Sequence, residues 1–270
     1  MNILFHKNLY TSMGAIELLT SSNACHHFPR HFHETFPLGV VTEGALGFHY
    51  RGEKVTALRG TINLANPGEV HDGFPISNNG WQYRMFYIEL NLIQEVMNQQ
   101  HKQQSFPWFS NGVIRDQKLA GRISHLHNSI QNGILSQLAI ETKLFQMLEQ
   151  LIDQHAQIRT QWQSISSDHY KLQHVADYIR ESCRFTLNLK DLALMSSYSV
   201  GYFIRAFQAY SGLTPHKYQL VCRMERARAQ VLRKIPISQV AYENGFVDQS
   251  HFYKVFKQIY GYTPGMLQSS

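Results

Sequence analysis

His31, His33 and His71 are the residues of this 270-residue chain whose type and spacing raise the question of metal chemistry. On a strand, residues two apart share a face, so His31 and His33 present two imidazoles together. A third imidazole from another strand completes a nitrogen ligand set of the kind transition metals use. Enzymes built on such a pair add a carboxylate three or four residues further on, whereas here those places and the next hold Phe36, Pro37 and Leu38. The expectation is therefore a ligand-lining or hydrogen-bonded core role, with no catalytic residue, no metal and no cofactor. A metal-dependent enzyme stays open as the alternative. Arg30, Phe36, Tyr50, Trp81 and Tyr83 are candidate neighbours in the same ligand pocket, although each alone is equally well explained as core or rim.

Strands must hold those histidines, and short alternating or apolar runs broken by glycine supply them: residues 38–42, 47–50, 54–58, 61–64 and 83–88. Several short strands joined by turns predict an antiparallel barrel or sandwich. Further on, apolar residues at Leu119, Ile123, Leu126 and Ile130, and again at Ile140, Leu144, Met147, Leu148 and Leu151, predict two amphipathic helices with Gly133 between them. These helices either cover one face of the barrel or pair two subunits.

A second set of residues able to do chemistry is cationic. Residues 1–167 hold 12 Lys and Arg against 12 Asp and Glu, and residues 168–270 hold 13 against 7, so the whole net charge of +6 lies in the last hundred residues. A basic domain behind a neutral one suits nucleic acid, although basic charge alone serves solubility equally well.

That basic part contains a repeat. At an offset of 49 residues, YFIRAFQAYSGLTP (202–215) aligns with HFYKVFKQIYGYTP (251–264). Phe203 and Phe207, like Phe252 and Phe256, stand four apart and so share the inner face of a helix. Arg205 and Lys254 fall about 160° away from that face on a helical wheel and point outward. Gly212 and Gly261 provide the left-handed residue that ends a helix. Thr214-Pro215 and Thr263-Pro264 then supply an N-cap and a first-turn proline for the next one. Ahead of each copy lies a short apolar segment, 189–195 and 237–243, with Ala193 and Ala241 small enough for a close helix crossing. Short helix, tight turn and second helix with a basic outer face is the helix-turn-helix pattern, here present twice. Pro215 to Arg233 reads as one connecting helix, about 28 Å long, whose Arg223, Arg226, Arg228, Arg233 and Lys234 are expected in salt bridges or phosphate contacts.

From about Leu187 to Gln268 the chain resembles the DNA-binding domain of the AraC/XylS regulators, through LALMSSYS (192–199), YFIRAF (202–207), GLTP (212–215), Arg223 with Ala227, and VAYENGFVDQSHFYKVFK (240–257). The resemblance implies that Val200, Gly201, Ile204 and Arg205 of the first recognition helix, and Gln249, Ser250, Tyr253 and Lys254 of the second, face DNA. Arg205 could then take guanine and Gln249 adenine by paired hydrogen bonds, and Lys254 a base or a phosphate. Gly201 departs from the bulkier residue often found there, which thins the first reading set. The N-terminal stretch HFH (31–33), Glu43-Gly44, Gly60 and NPGEVH (66–71) is more loosely similar to the cupin-type sensor domain of the same family.

The fold expected is thus a two-domain α+β chain: residues 1–153 a cupin-like barrel with following helices, 154–167 a polar linker holding Ser164, Ser166 and Ser167, and 168–270 an all-α domain with two helix-turn-helix units. Such a chain is a transcription regulator modulated by a small-molecule effector in the barrel. Its expected partners are double-stranded DNA, a second copy of itself and RNA polymerase, not a membrane. The start of the chain lacks a long apolar run or a small-residue cleavage site, which leads to the expectation of a cytoplasmic protein. Cys25, Cys183 and Cys222 are odd in number and far apart, and are expected as buried thiols.

Overall fold

The computed structural model describes residues 2–12, 14–22, 25–99, 106–159 and 167–268. Contacts divide the chain into two compact units that part at Trp162/Gln163, with the short segment 28–32 grouped with the second. Half of the expected linker, including Ser164 and Ser166, lies outside the described residues.

The chain up to residue 159 is rich in antiparallel sheet. Its strands are β1 (Asn2–Thr11), β2 (Gly14–Ser22), β3 (Phe28–His31), β4 (Phe36–Tyr50), β5 (Glu53–Leu58), β6 (Ile62–Leu64), β7 (His71–Pro75), β8 (Trp81–Ile88), β9 (Phe106–Trp108), β10 (Val113–Ile114) and β11 (Gln157–Arg159). The path β1-β2-β8-β4-β6-β10 is continuous, with β3 joined to β7, and β5 and β7 joined to β4; β9 pairs separately with β11. The fifteen-residue β4 organises this arrangement. Its first half pairs with β8 and β6, its second half with β5 and β7, and the register slips between Val41 and Glu43. A bulge of this kind lets one strand turn a corner and serve two sheets. Gly44 sits just past the slip at φ +67°, where an added Cβ would lie 2.3 Å from the Gly80 carbonyl oxygen, so both dihedral and space demand glycine. The runs 38–42 and 47–50, expected as two strands, are therefore parts of one.

Three helices, α1 (Leu90–Gln99), α2 (Gln117–Gln131) and α3 (Gln137–His155), complete the first unit. Their apolar stripes join the sheet in one core: Leu18, Leu38, Phe86, Leu92, Val96, Leu119, Ile123, Leu144, Leu148 and Leu151 are all fully or almost fully buried there. The stripes read from sequence in α2 and α3 thus cover the sheet. The outward sides of these helices carry Lys118, Arg122 and Lys143.

The second unit is helical: α4 (Ser167–Glu181), α5 (Leu189–Met195), α6 (Val200–Ser211), α7 (Pro215–Leu232), α8 (Ile237–Glu243), α9 (Gln249–Tyr260) and α10 (Pro264–Gln268). Gly212 and Gly261 end α6 and α9 in the left-handed conformation, at φ +77° and +79°. The caps differ from expectation in detail. Thr214 occupies the N-cap of α7 with Pro215 following, but its hydroxyl makes no capping hydrogen bond, whereas the Thr263 hydroxyl accepts from the Met266 amide at 3.3 Å at the start of α10; Asn188 and Asp248 cap α5 and α9. Cys183 and Cys222 are buried as expected, whereas Cys25 is exposed. Among the described residues no helix is long and apolar enough to cross a membrane.

Candidate nucleic-acid interface and ligand-domain residues

Each half of the helical unit is a short helix packed on a longer one. α5 and α8 present Ala193 and Ala241, 1% and 3% exposed, to α6 and α9, whose Phe203, Phe207, Phe252 and Phe256 are wholly buried. Burying one face of an amphipathic helix fixes what the other face offers. On α6, Gly201 and Arg205 are exposed, and Val200 and Ile204 half-buried; on α9, Gln249, Ser250 and Lys254 are exposed, and Tyr253 half-buried. All eight sequence-derived candidates therefore stand on two solvent-facing helix surfaces related by the internal repeat. An added Cβ at Gly201 would meet only the Arg205 guanidinium, at 3.9 Å, so the bare backbone there leaves Arg205 room to swing.

α7 joins the halves, and its cations divide into two groups. Arg223 turns inward: Nε donates to the Cys183 carbonyl at 2.6 Å, one terminal nitrogen to the Gly245 carbonyl at 2.9 Å, and the other to the Phe185 carbonyl at 3.0 Å. It thereby ties the turn after α4 to the turn after α8. Arg228 is 5% exposed, its Nε 3.3 Å from the Tyr262 hydroxyl and its guanidinium over the Tyr260 ring. The expectation of salt bridges or phosphate contacts fails for Arg223, because its partners are backbone carbonyls. Of the five, only Arg226, Arg233 and Lys234 are exposed. Sequence reasoning missed Tyr260 and Glu225, a buried pair joined at 2.8 Å in which burial, then the nearby carboxylate, pushes the phenol well above its ordinary value.

Among the sheet strands the candidate ligand residues separate. His31 and His33 are buried and His71 half-buried, and the His33 and His71 rings lie with their centroids 5.3 Å apart. Tyr50 is the cross-strand partner of His71, which puts both side chains on one face of the sheet. The Tyr50 hydroxyl donates to Glu69 and accepts from the backbone and side-chain nitrogens of Asn66, at 3.1 and 2.8 Å. Burial, and then the bond to Glu69, raises its pKa far above the ordinary tyrosine value. Phe36 packs on Phe109 within the apolar core. Trp81 and Tyr83 are buried and stacked on each other, with ring centroids 6.1 Å apart. Arg30 is exposed beside a buried His31, as alternation along β3 requires. The structure thus brings His33 and His71 together with Tyr50, but leaves Phe36 in the core and Arg30 exposed. Tyr87, edge-on to His33 with centroids 5.2 Å apart, belongs to the group and was not singled out, because nothing in its local sequence pattern marks it.

Comparison with known proteins settles what this combination is. The AraC-like ligand binding domain family matches residues 14–148, and a helix-turn-helix domain family matches residues 170–270. The chain belongs to the AraC family. It is an AraC-type DNA-binding transcription regulator with a ligand-binding domain in front. Similar proteins include the HTH-type transcriptional regulator YbfI of Bacillus subtilis, 24% identical over 83% of this chain and 81% of that one. The HTH-type transcriptional activator RhaS of Yersinia pestis is 22% identical over 100% of this chain and 99% of its own length. Among solved structures, an apo form of a ToxT variant from Vibrio cholerae superposes with a TM-score of 0.57 at 11% identity, covering 93% of this chain and 97% of that one. Fatty-acid-bound wild-type ToxT gives 0.58 at 9% identity, covering 99% and 96%. At such identities ToxT shares the fold: a sheet-rich domain followed by a helical one. Both halves of the family resemblance read from the sequence, the DNA-binding domain and the looser sensor domain, are thereby borne out.

Proposed function

We propose that this AraC-family regulator reads double-stranded DNA with α6 and α9, and that a small-molecule effector held by residues 1–153 modulates the binding of residues 168–270. The observation that supports the reading most is the repeat itself. Arg205 and Lys254 are exposed at equivalent positions over equivalent buried phenylalanine pairs, so one chain offers two cationic helix faces for successive grooves. Base contacts are assigned to Val200, Gly201, Ile204 and Arg205, and to Gln249, Ser250, Tyr253 and Lys254. ToxT has been solved with an unsaturated fatty acid bound, so the shared fold accommodates a small organic ligand. A homodimer, contact with RNA polymerase and a cytoplasmic location complete the proposal. Since the relatives named above are transcription regulators, the enzyme alternative is set aside.

Selection of bound fragments from random duplex DNA supplies the binding sequence, and anisotropy titration then tests the faces. Arg205→Ala and Lys254→Ala are each expected to weaken binding to the selected site by about 1–3 kcal/mol, or roughly 5- to 150-fold. The melting transition stays unchanged, because both side chains face solvent. Loss of a phosphate contact at Lys254 would show as a salt dependence shallower by about one ion. Unaltered affinity in both variants would remove these helix faces from the interface.

A further inference from the structure

The packed helices α2 and α3 leave a groove of about 570 Å³ along their outward side. Its rim is cationic: Lys118 and Arg122 stand four apart on α2, Lys143 lines the same groove from α3, and all three are exposed. Among the described residues no carboxylate lines the groove, and neither lysine has an ion-pair partner. Arg122 donates one terminal nitrogen to the Gln150 side-chain oxygen at 2.5 Å, a neutral partner that leaves its charge uncompensated. This arrangement does nothing for the stability of α2, which contains two cations and no Asp or Glu. Like charges four apart destabilise a helix, and Lys118 sits in the first turn, where the positive end of the helix dipole disfavours a cation. Leu126 and Met147, both buried, give the groove an apolar floor. Gly121 contributes no side chain, and a Cβ built there meets no atom within 4 Å, so the space beside it is open.

We propose that this groove binds one small organic polyanion, bearing phosphate or carboxylate groups, through Lys118, Arg122 and Lys143. Charge decides the class: a guanidinium pairs with two oxygens of a phosphate or carboxylate at once, and the two ammonium groups add mobile point charges from either side. Size decides that the occupant is a small molecule, since the groove falls within the range of about 300–1,000 Å³ usual for such sites. A second copy of the chain does not suit it, because a twofold contact centred on the groove sets the same cations face to face. The bound anion relieves the repulsion between Lys118 and Arg122 and ties α2 to α3. The inference goes beyond the regulator reading and does not depend on it: the groove uses none of the ligand residues of the sheet and none of the DNA-facing residues of α6 and α9.

Calorimetric titration of the full-length protein with inorganic tripolyphosphate, and separately with citrate, tests the site. The buffer is metal-free and of about 0.15 M ionic strength, where attraction between distant surface charges is screened. One anion per chain is expected, and the tighter of the two probes tells phosphate from carboxylate as the carrier of the charge. Arg122→Gln removes a charge-assisted bond and should weaken uptake roughly 10- to 150-fold. Gly121→Glu sets a carboxylate among the cations where no packed neighbour is displaced, and should weaken uptake at least as much. Lys217→Gln, which alters an exposed cation of α7, should leave uptake at the parent value. Thermal melts check the fold of each variant, and hydrogen exchange locates the anion on the parent without any substitution, with protection expected in α2 and α3. No uptake of either probe by the parent, parent-like affinity in folded Arg122→Gln and Gly121→Glu, or protection confined to α6 and α9 would each overturn the proposal.

Discussion

Phe256→Ala should destabilise the helical domain by about 3–5 kcal/mol, and Phe207→Ala by a similar amount, the usual cost of emptying a buried aromatic site. Both side chains are wholly buried, and each lies at the centre of an aromatic cluster. Phe207 has Phe203 at 5.5 Å and Tyr218 of α7 edge-on at 5.4 Å between ring centroids. Phe256 has Phe252 at 5.5 Å, Tyr260 at 4.6 Å and Tyr262 at 5.9 Å. Tyr260 and Tyr262 in turn contact Glu225 and Arg228 of α7, so the cavity left by Phe256 loosens the joint between α9 and the connecting helix as well. Denaturant titration of each variant measures the loss, and DNA affinity should fall with it because the recognition helix no longer has a fixed seat. Arg205→Ala separates the two effects, since it alters affinity without stability. Unfolding curves that overlay the parent for both phenylalanine variants would mean that the inner faces of α6 and α9 are not the ones described.

The helical domain was far more readable from sequence than the sheet domain, and the reason is locality. Both short helices, 189–195 and 237–243, end where their patterns predict, and the two glycine stops are in place. Helix periodicity, caps and left-handed glycines are all written within a few residues of where they act. The inward turn of Arg223 was not readable, because its carbonyl partners at Cys183, Phe185 and Gly245 lie 40, 38 and 22 residues away. In the sheet domain, β1, β2, β9, β10, β11 and α1 were not anticipated. β2 in particular carries an unbroken buried run from Ile16 to Ser22 instead of an alternating one, since its neighbours cover both faces. The approach of His33 to His71 joins residues that stand far apart in the chain, which spacing alone leaves open. Spacing did identify which residues to ask about.

Acidification should weaken the sheet domain through one residue, His127 of α2. Its ring is fully buried, edge-on to Phe86 with centroids 5.0 Å apart. Burial first, and the positive charge of Arg84 second, lower its pKa from 6.5 to about 4. Arg84 is held in place by the bond from its Nε to Asn128 Oδ1 at 2.7 Å, one residue along the same helix. Between about pH 4 and pH 6.5 the unfolded chain therefore binds a proton that the folded chain refuses. The stability attached to neutral His127 is fully present above the unfolded value and is lost as pH falls through that window, by roughly 3 kcal/mol in total. Denaturant midpoints measured from pH 7 down to pH 4 should show this slope in the parent. They should show a flatter one in His127→Gln, which keeps a polar side chain but cannot titrate in the range. The variant should be less stable than the parent at neutral pH and approach it in acid. Parallel pH profiles for the two proteins would place the acid sensitivity elsewhere in the chain.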